Sequence, residues 1–211
     1  MNSDYRLTED CETFDEIKVR KAELSHEIKA NHPKSTIEYN RIRDRTGQFF
    51  ERFAHIYHKR CAYCGITNSF LDIHLFEIDH YICKSAFDSH AEAGRVSNLV
   101  FSCYPCNRPK RDFLITKDYE ELLNPDSAEI TNVFLRDSDY YIRISPEFQE
   151  DEFIREFYTK LKFESHLRRL DHLLIQMQKL AEKIDNETLK CKLEACINQL
   201  MMRKNSSYAI K

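Results

Sequence analysis

Along the first quarter of the chain, apolar side chains return at helical spacing. Phe14, Ile17, Leu24 and Ile28 share one stripe with Lys21, which predicts a helix from Thr13. Asn31-His32-Pro33 ends it, because a residue before proline is pushed out of the α region. A second helix is predicted over residues 36–59, with Phe49, Phe53 and Ile56 on one face and Phe50 and Tyr57 widening it. Gly47 is its point of interruption. The period then drops to two over residues 70–82, where Phe76, Ile78 and His80 alternate with Leu75, Glu77 and Asp79 as a strand does. Residues 81–97 read as a loop with a short helical turn, and Leu99-Val100-Phe101-Ser102 as a short apolar strand. A helix starts at Tyr104, with Pro105 suited to its first turn and Pro109 less so. Residues 119–145 hold turns and short strands, including Tyr140-Tyr141-Ile142-Arg143-Ile144. One long helix is predicted over residues 147–184, with Ile154, Phe157, Leu161, Leu167, Leu170 and Leu174 in its stripe. Asp185-Asn186 breaks it and caps a last helix carrying Leu189, Leu193, Ile197 and Leu200. Residues 1–11 and the final residues read as frayed or disordered.

The fold class expected is α+β and mostly helical. Residues 1–59 form a helical N-terminal extension, 60–117 a compact β-loop-β-α core, and 118–211 a turn and short-strand segment followed by a helical region. With 211 residues, 42 % apolar content and only three glycines, the chain has material for a buried core and favours helices over an all-β fold. No apolar run is long enough to cross a bilayer, and Met1-Asn2-Ser3-Asp4-Tyr5-Arg6 lacks the apolar region of a signal peptide. A soluble, cytoplasmic protein is expected. The stripe over residues 154–184 is near a heptad, which suits packing within the chain first and a homodimer seam second.

Four of the eight cysteines form two CxxC pairs, Cys61 with Cys64 and Cys103 with Cys106, with 38 residues between the pairs. In a charged chain without an export signal, metal binding is a better account of them than disulfides. Each pair turns the chain so that both sulfurs face one ion, and Gly65 supplies the unusual backbone angle such a knuckle needs. The four read as a structural zinc site with no open coordination position. Cys11, Cys83, Cys191 and Cys196 read as small buried apolar residues.

Charge is unevenly spread. Six basic residues lie in 41–60 against Asp44 and Glu51, and five in 95–117 against Asp112, while 118–156 holds twelve acids against three arginines. The net charge of −3 therefore conceals a basic surface around the cysteine core, suited to phosphates. Asp79-His80 ends the first strand and Asn107 follows the last cysteine. Convergence of the three would give a carboxylate and an amide oxygen for a hard divalent cation, beside an imidazole able to take a proton from water. Below about pH 6 a protonated His80 would lose that capacity.

The order of CxxC, Asp79-His80, Asn98-Leu99-Val100 and Cys103-Tyr104-Pro105-Cys106-Asn107-Arg108-Pro109-Lys110 resembles the HNH endonucleases of the His-Me finger group. That resemblance covers about fifty residues and implies a zinc-stapled ββα-metal core. His80 would be the general base, Asp79 and Asn107 would hold one Mg²⁺ or Mn²⁺ ion, and Asn98 would orient the loop that carries His80. Arg108, Lys110 and Arg111 would face the nucleic-acid backbone, DNA ahead of RNA. Family members often carry a proline where this chain has Cys83, a position that shapes the loop and leaves the chemistry intact. The layout, a small HNH centre with helical flanks, also looks like the nuclease subunits of Septu-type and retron antiphage systems, which implies an ATPase partner. The competing reading is a zinc-ribbon module that binds nucleic acid or protein without turnover.

Overall fold

The computed structural model describes residues 4–9 and 11–209. Its first helix, α1 (Ile17–Asn31), buries Ile17, Lys21, Leu24 and Ile28, the stripe that the spacing selects. Lys21 is tolerated there because its ammonium meets Asp126 at 2.5 Å and the Ser97 carbonyl at 3.0 Å. Where one helix is predicted over 36–59, two form: α2 (Tyr39–Ile42) and α3 (Gln48–Ile56). The break is local chemistry. The Asp44 carboxylate takes the Thr46 amide at 3.0 Å and its hydroxyl at 2.7 Å, and Gly47 then lies extended ahead of α3.

The predicted strand over 70–82 shrinks to β1 (Phe76–His80), because Asp72 accepts the His74 amide and starts a 3₁₀ turn that consumes the residues before it. The connection that follows contains the short helix α4 (His90–Ala93), capped by Ser89. Strand β2 (Leu99–Cys103) pairs antiparallel with β1, Phe76 opposite Cys103 and His80 opposite Leu99. Helix α5 (Tyr104–Lys110) leaves β2 directly; Pro109 is accommodated in its last turn, one residue before it ends. A second antiparallel pair follows α6 (Ile130–Val133): β3 (Phe134–Arg136) with β4 (Ile142–Ile144). The protein is thus α+β and mostly helical, with two two-stranded sheets among the described residues.

The long helix predicted over 147–184 is also two, α7 (Glu152–Lys160) and α8 (His166–Lys183). Lys162 adopts a left-handed backbone (φ 53°), and Ser165 accepts the Leu167 amide as a new N-cap. The turn is kept because it drives Leu161 and Phe163 into the interior, where Phe163 meets Tyr5 and Phe134 edge to face. Helix α9 (Glu187–Ala209) returns along α8, and Lys204 reaches Asp171 at 2.5 Å.

Two expectations fail here. Of the segment expected to fray, residues 4–9 and Cys11 are placed: Tyr5 and Arg6 are buried and donate to the carbonyls of Tyr63 (2.8 Å) and Ala62 (2.9 Å), with Arg6 also reaching that of Pro125. Met1 to Ser3, Asp10, and Ile210 and Lys211 at the other end lie outside the described residues. Cys191 and Cys196, expected inside, are exposed on α9, because α9 turns only its other face to α8; Cys83 is buried and Cys11 partly so.

Candidate metal centre and polar cavity

Residues 60–67 close into a tight knuckle. Arg60 bridges Thr67, the Cys61 amide donates to the Ile66 carbonyl (2.9 Å), and the Gly65 amide returns to the Cys61 carbonyl (2.9 Å). Gly65 has φ +78°, and a Cβ there would stand 1.9 Å from the Arg6 carbonyl oxygen, so only glycine fits. The Ala62 amide donates to the Phe101 carbonyl, which ties the knuckle to β2. Cys103 ends β2 and Cys106 sits in the first turn of α5, so the second pair straddles a strand-to-helix junction. All four sulfurs lie within 4.8 Å of one another and all four cysteines are buried. Sulfurs on a tetrahedral zinc ion at about 2.3 Å stand about 3.8 Å apart; the Cys64–Cys103 separation is 3.7 Å. The donor set fits zinc.

Burial pushes the Cys103 and Cys106 thiols well up, while hydrogen bonds from those two outweigh burial at Cys61 and Cys64 and hold them down. Arg168, which sequence reasoning did not single out, comes from α8 and covers the cluster. Its Nη1 lies 3.4 Å from Cys64 Sγ and 3.8 Å from Cys103 Sγ; its Nη2 lies 3.0 Å from Cys106 Sγ and 3.1 Å from the Leu161 carbonyl. Burial works against the guanidinium charge, and the sulfurs of Cys106, Cys64 and Cys103 more than restore it.

On the other side of β1 and α5 opens a polar cavity of about 760 Å³, whose walls include Glu77, Asp79, His80 and Asn107. The three polar groups expected to converge, Asp79, His80 and Asn107, all line it. Asp79 is 5 % exposed, and its Oδ2 takes the Tyr63 hydroxyl at 2.8 Å and the Lys110 ammonium at 3.0 Å. Burial raises the Asp79 pKa and Lys110 offsets part of the rise. Lys110 is a correction: expected on the nucleic-acid backbone, it is 1 % exposed, because Pro109 and the last turn of α5 direct it inward to Asp79 and the His80 carbonyl (2.9 Å). Arg108 and Arg111 do line the cavity.

His80 is half buried, its ring 4.5 Å from that of Tyr39. Among the described residues neither ring nitrogen has a hydrogen-bond partner. Burial, then Lys84 and Lys110, push its pKa down to about 4, so the imidazole is neutral well below the pH 6 expected from an ordinary histidine. Asn98 is buried behind it. Its Oδ1 accepts the Ile82 amide (3.0 Å) while its Nδ2 donates to the carbonyls of Ile82 and Ala93, which brackets the loop after His80.

Glu77, also missed, sits two residues before Asp79 on the same face. Its Oε2 takes Asn107 Nδ2 at 2.7 Å and its Oε1 takes Arg108 at 2.6 and 3.1 Å. A carboxylate only accepts, so this contact fixes the amide orientation and leaves Asn107 Oδ1 as the free acceptor. The strand alternation already put Glu77 beside Asp79, which was the available signal. Tyr39, Arg43 and Arg45 complete the rim, and only the arginine density of residues 41–45 announced them. No family model matches the chain, and neither a curated protein nor a solved structure matches it.

Proposed function

We propose that the protein is a metal-dependent phosphodiesterase of the HNH type, with β1, β2 and α5 as its ββα core and the four cysteines holding a structural zinc ion. What supports this is one observation: Asp79, His80 and Asn107 share a cavity rimmed by Arg43, Arg45, Arg108 and Arg111. Oxygen donors from Asp79 and Asn107 suit a hard cation such as Mg²⁺ or Mn²⁺. Both protein contacts of Asp79 fall on Oδ2, which leaves Oδ1 for that role. When bound, such an ion would neutralise charge on the phosphoryl and departing oxygens.

The chain's own residues account for the rest. Neutral His80 takes a proton from water as the water oxygen bonds to phosphorus and the bond to the leaving oxygen breaks. Its lowered pKa leaves the lone pair available at neutral pH. Glu77 aims the Asn107 amide and holds the Nε–Nη2 edge of Arg108, which leaves Nη1 for a phosphate. The test is cleavage of plasmid, single-stranded DNA and tRNA with Mg²⁺ and with chelator. Wild-type protein is expected to cut only with the ion, and His80→Ala not at all while folded and zinc-loaded. Normal cutting by His80→Ala would sink the proposal. The Asp79–Lys110 ion pair favours a second reading, a zinc-ribbon module in which Asp79 is structural. That reading expects binding to nucleic acid with no Mg²⁺-dependent turnover.

A further inference from the structure

The polar cavity is not alone. Tyr104, Arg108 and Arg111 also stand in the wall of a second cavity of about 980 Å³, so the two adjoin. Their chemistry differs. The second is floored by Phe70, Leu71, Leu75, Pro105, Leu167 and Met201, drawn from the approach to β1, from α5 and from α8 and α9. Its lips carry Arg108, Arg111 and Lys162 against Asp72. Two large apolar side chains are left open on it: Leu75 is 43 % exposed and Tyr104 48 %. Arg108 lies over the Tyr104 ring at 5.3 Å, a cation stacked on the aromatic at the boundary between the cavities.

A nucleotide presents the same two chemistries in the same order, an anionic phosphate joined to a flat base with apolar faces. We propose that the second cavity is a nucleobase subsite, taking a base beside the phosphate held in the polar cavity. In a duplex that base would be paired and stacked, so the substrate class is nucleic acid with unpaired bases. Aromatic and apolar floors under basic lips are how single strands are held without regard to sequence. The lips exclude a cationic partner, and the shared wall argues for a ligand that occupies both cavities at once. This inference rests on the phosphodiesterase reading of the first cavity.

The experiment measures binding and turnover separately. Fluorescence anisotropy in the His80→Ala background compares a single-stranded oligonucleotide, the same strand with one abasic position, and a hairpin duplex. Single strand is expected to bind tighter than duplex. Tyr104→Ala is expected to weaken single-strand binding by roughly 5- to 100-fold, the range for one base stacked on an aromatic ring, Leu75→Ser to weaken it by less, and both to reduce the penalty of the abasic position. Hydrolysis of a strand built only of tetrahydrofuran abasic sites, which carries no aromatic ring, reads the polar cavity alone and is expected to be unchanged by Leu75→Ser. Equal affinity for single strand and duplex, with both variants silent, overturns the subsite. So does a Leu75→Ser variant that changes mass in light scattering and leaves oligonucleotide affinity intact, since the groove would then seat a second copy. Absence of hydrolysis of the all-abasic strand by the wild type is a different failure, that of the phosphodiesterase reading.

Discussion

Replacing Arg168 by methionine keeps most of the buried stem and removes a cation that covers the cysteine cluster. In the wild type the guanidinium contacts the sulfurs of Cys64, Cys103 and Cys106 and the Leu161 carbonyl. A hydrogen bond to a charged group contributes about 1.5–3 kcal/mol. Three on one cluster do not add, and losing one partner of a buried charge pair costs about 3–5 kcal/mol. Zinc with four thiolates carries a net charge of about −2, so the cost falls on the loaded state. At 1.36 kcal/mol per decade, zinc affinity is expected to fall by about 10²–10⁴. In the metal-free, reduced protein burial holds Cys103 and Cys106 toward the thiol form while Cys61 and Cys64 are held down, so the guanidinium faces less sulfur charge there than in the zinc-loaded state. Methionine should then cost less without zinc than with it. The assay is chelator competition for zinc together with thermal unfolding of wild type and Arg168→Met, each with and without zinc. Equal destabilisation in both states would refute the reasoning, and would assign Arg168 to the Leu161 carbonyl and to packing of α8.

Three further outcomes are expected. With the His80 pKa lowered to about 4, the neutral base persists as pH falls from 7 to 5 and is lost only through about pH 4; a rate profile on zinc-loaded protein with its midpoint near 6.5 would contradict this. Asp79→Asn leaves Lys110 buried without its anion, so it should lower stability by about 3–5 kcal/mol. His80→Ala, with no side-chain hydrogen bond to lose, should cost about 1 kcal/mol, and equal melting temperatures for the two variants would count against the ion pair. Gly65→Ala drives a Cβ into the Arg6 carbonyl at a left-handed position, at a cost of about 2 kcal/mol or more; an unchanged urea midpoint would show that residues 4–9 do not pack there.

How much was legible in the sequence depends on how far apart the partners lie. The α1 stripe, the strand that ends at Asp79-His80 and the two CxxC knuckles follow from residues a few positions apart; stripe and knuckles are where the pattern puts them, and the strand keeps only the later part of the alternating run. Periodicity reports which positions are buried, and it passes over capping residues that interrupt a helix without breaking the stripe. That is why Asp44 and Ser165 divide two helices that the apolar spacing alone reads as one each. Nor does it name a partner. Lys21 lies in an apolar stripe because Asp126 meets it from 105 residues away. Lys110 turns inward because Asp79 is buried beneath it, and the same lysine on a solvated helix would have faced phosphates. Arg168 reaches sulfurs 62 to 104 residues earlier in the chain, across a turn that the apolar pattern does not mark. The sequence by itself determined the ligand set and the three polar groups of the cavity, because those rest on residue type and short spacing. Tertiary packing alone decided which charges are buried together, since a charge enters the interior only where a distant partner and hydrogen bonds offset its desolvation.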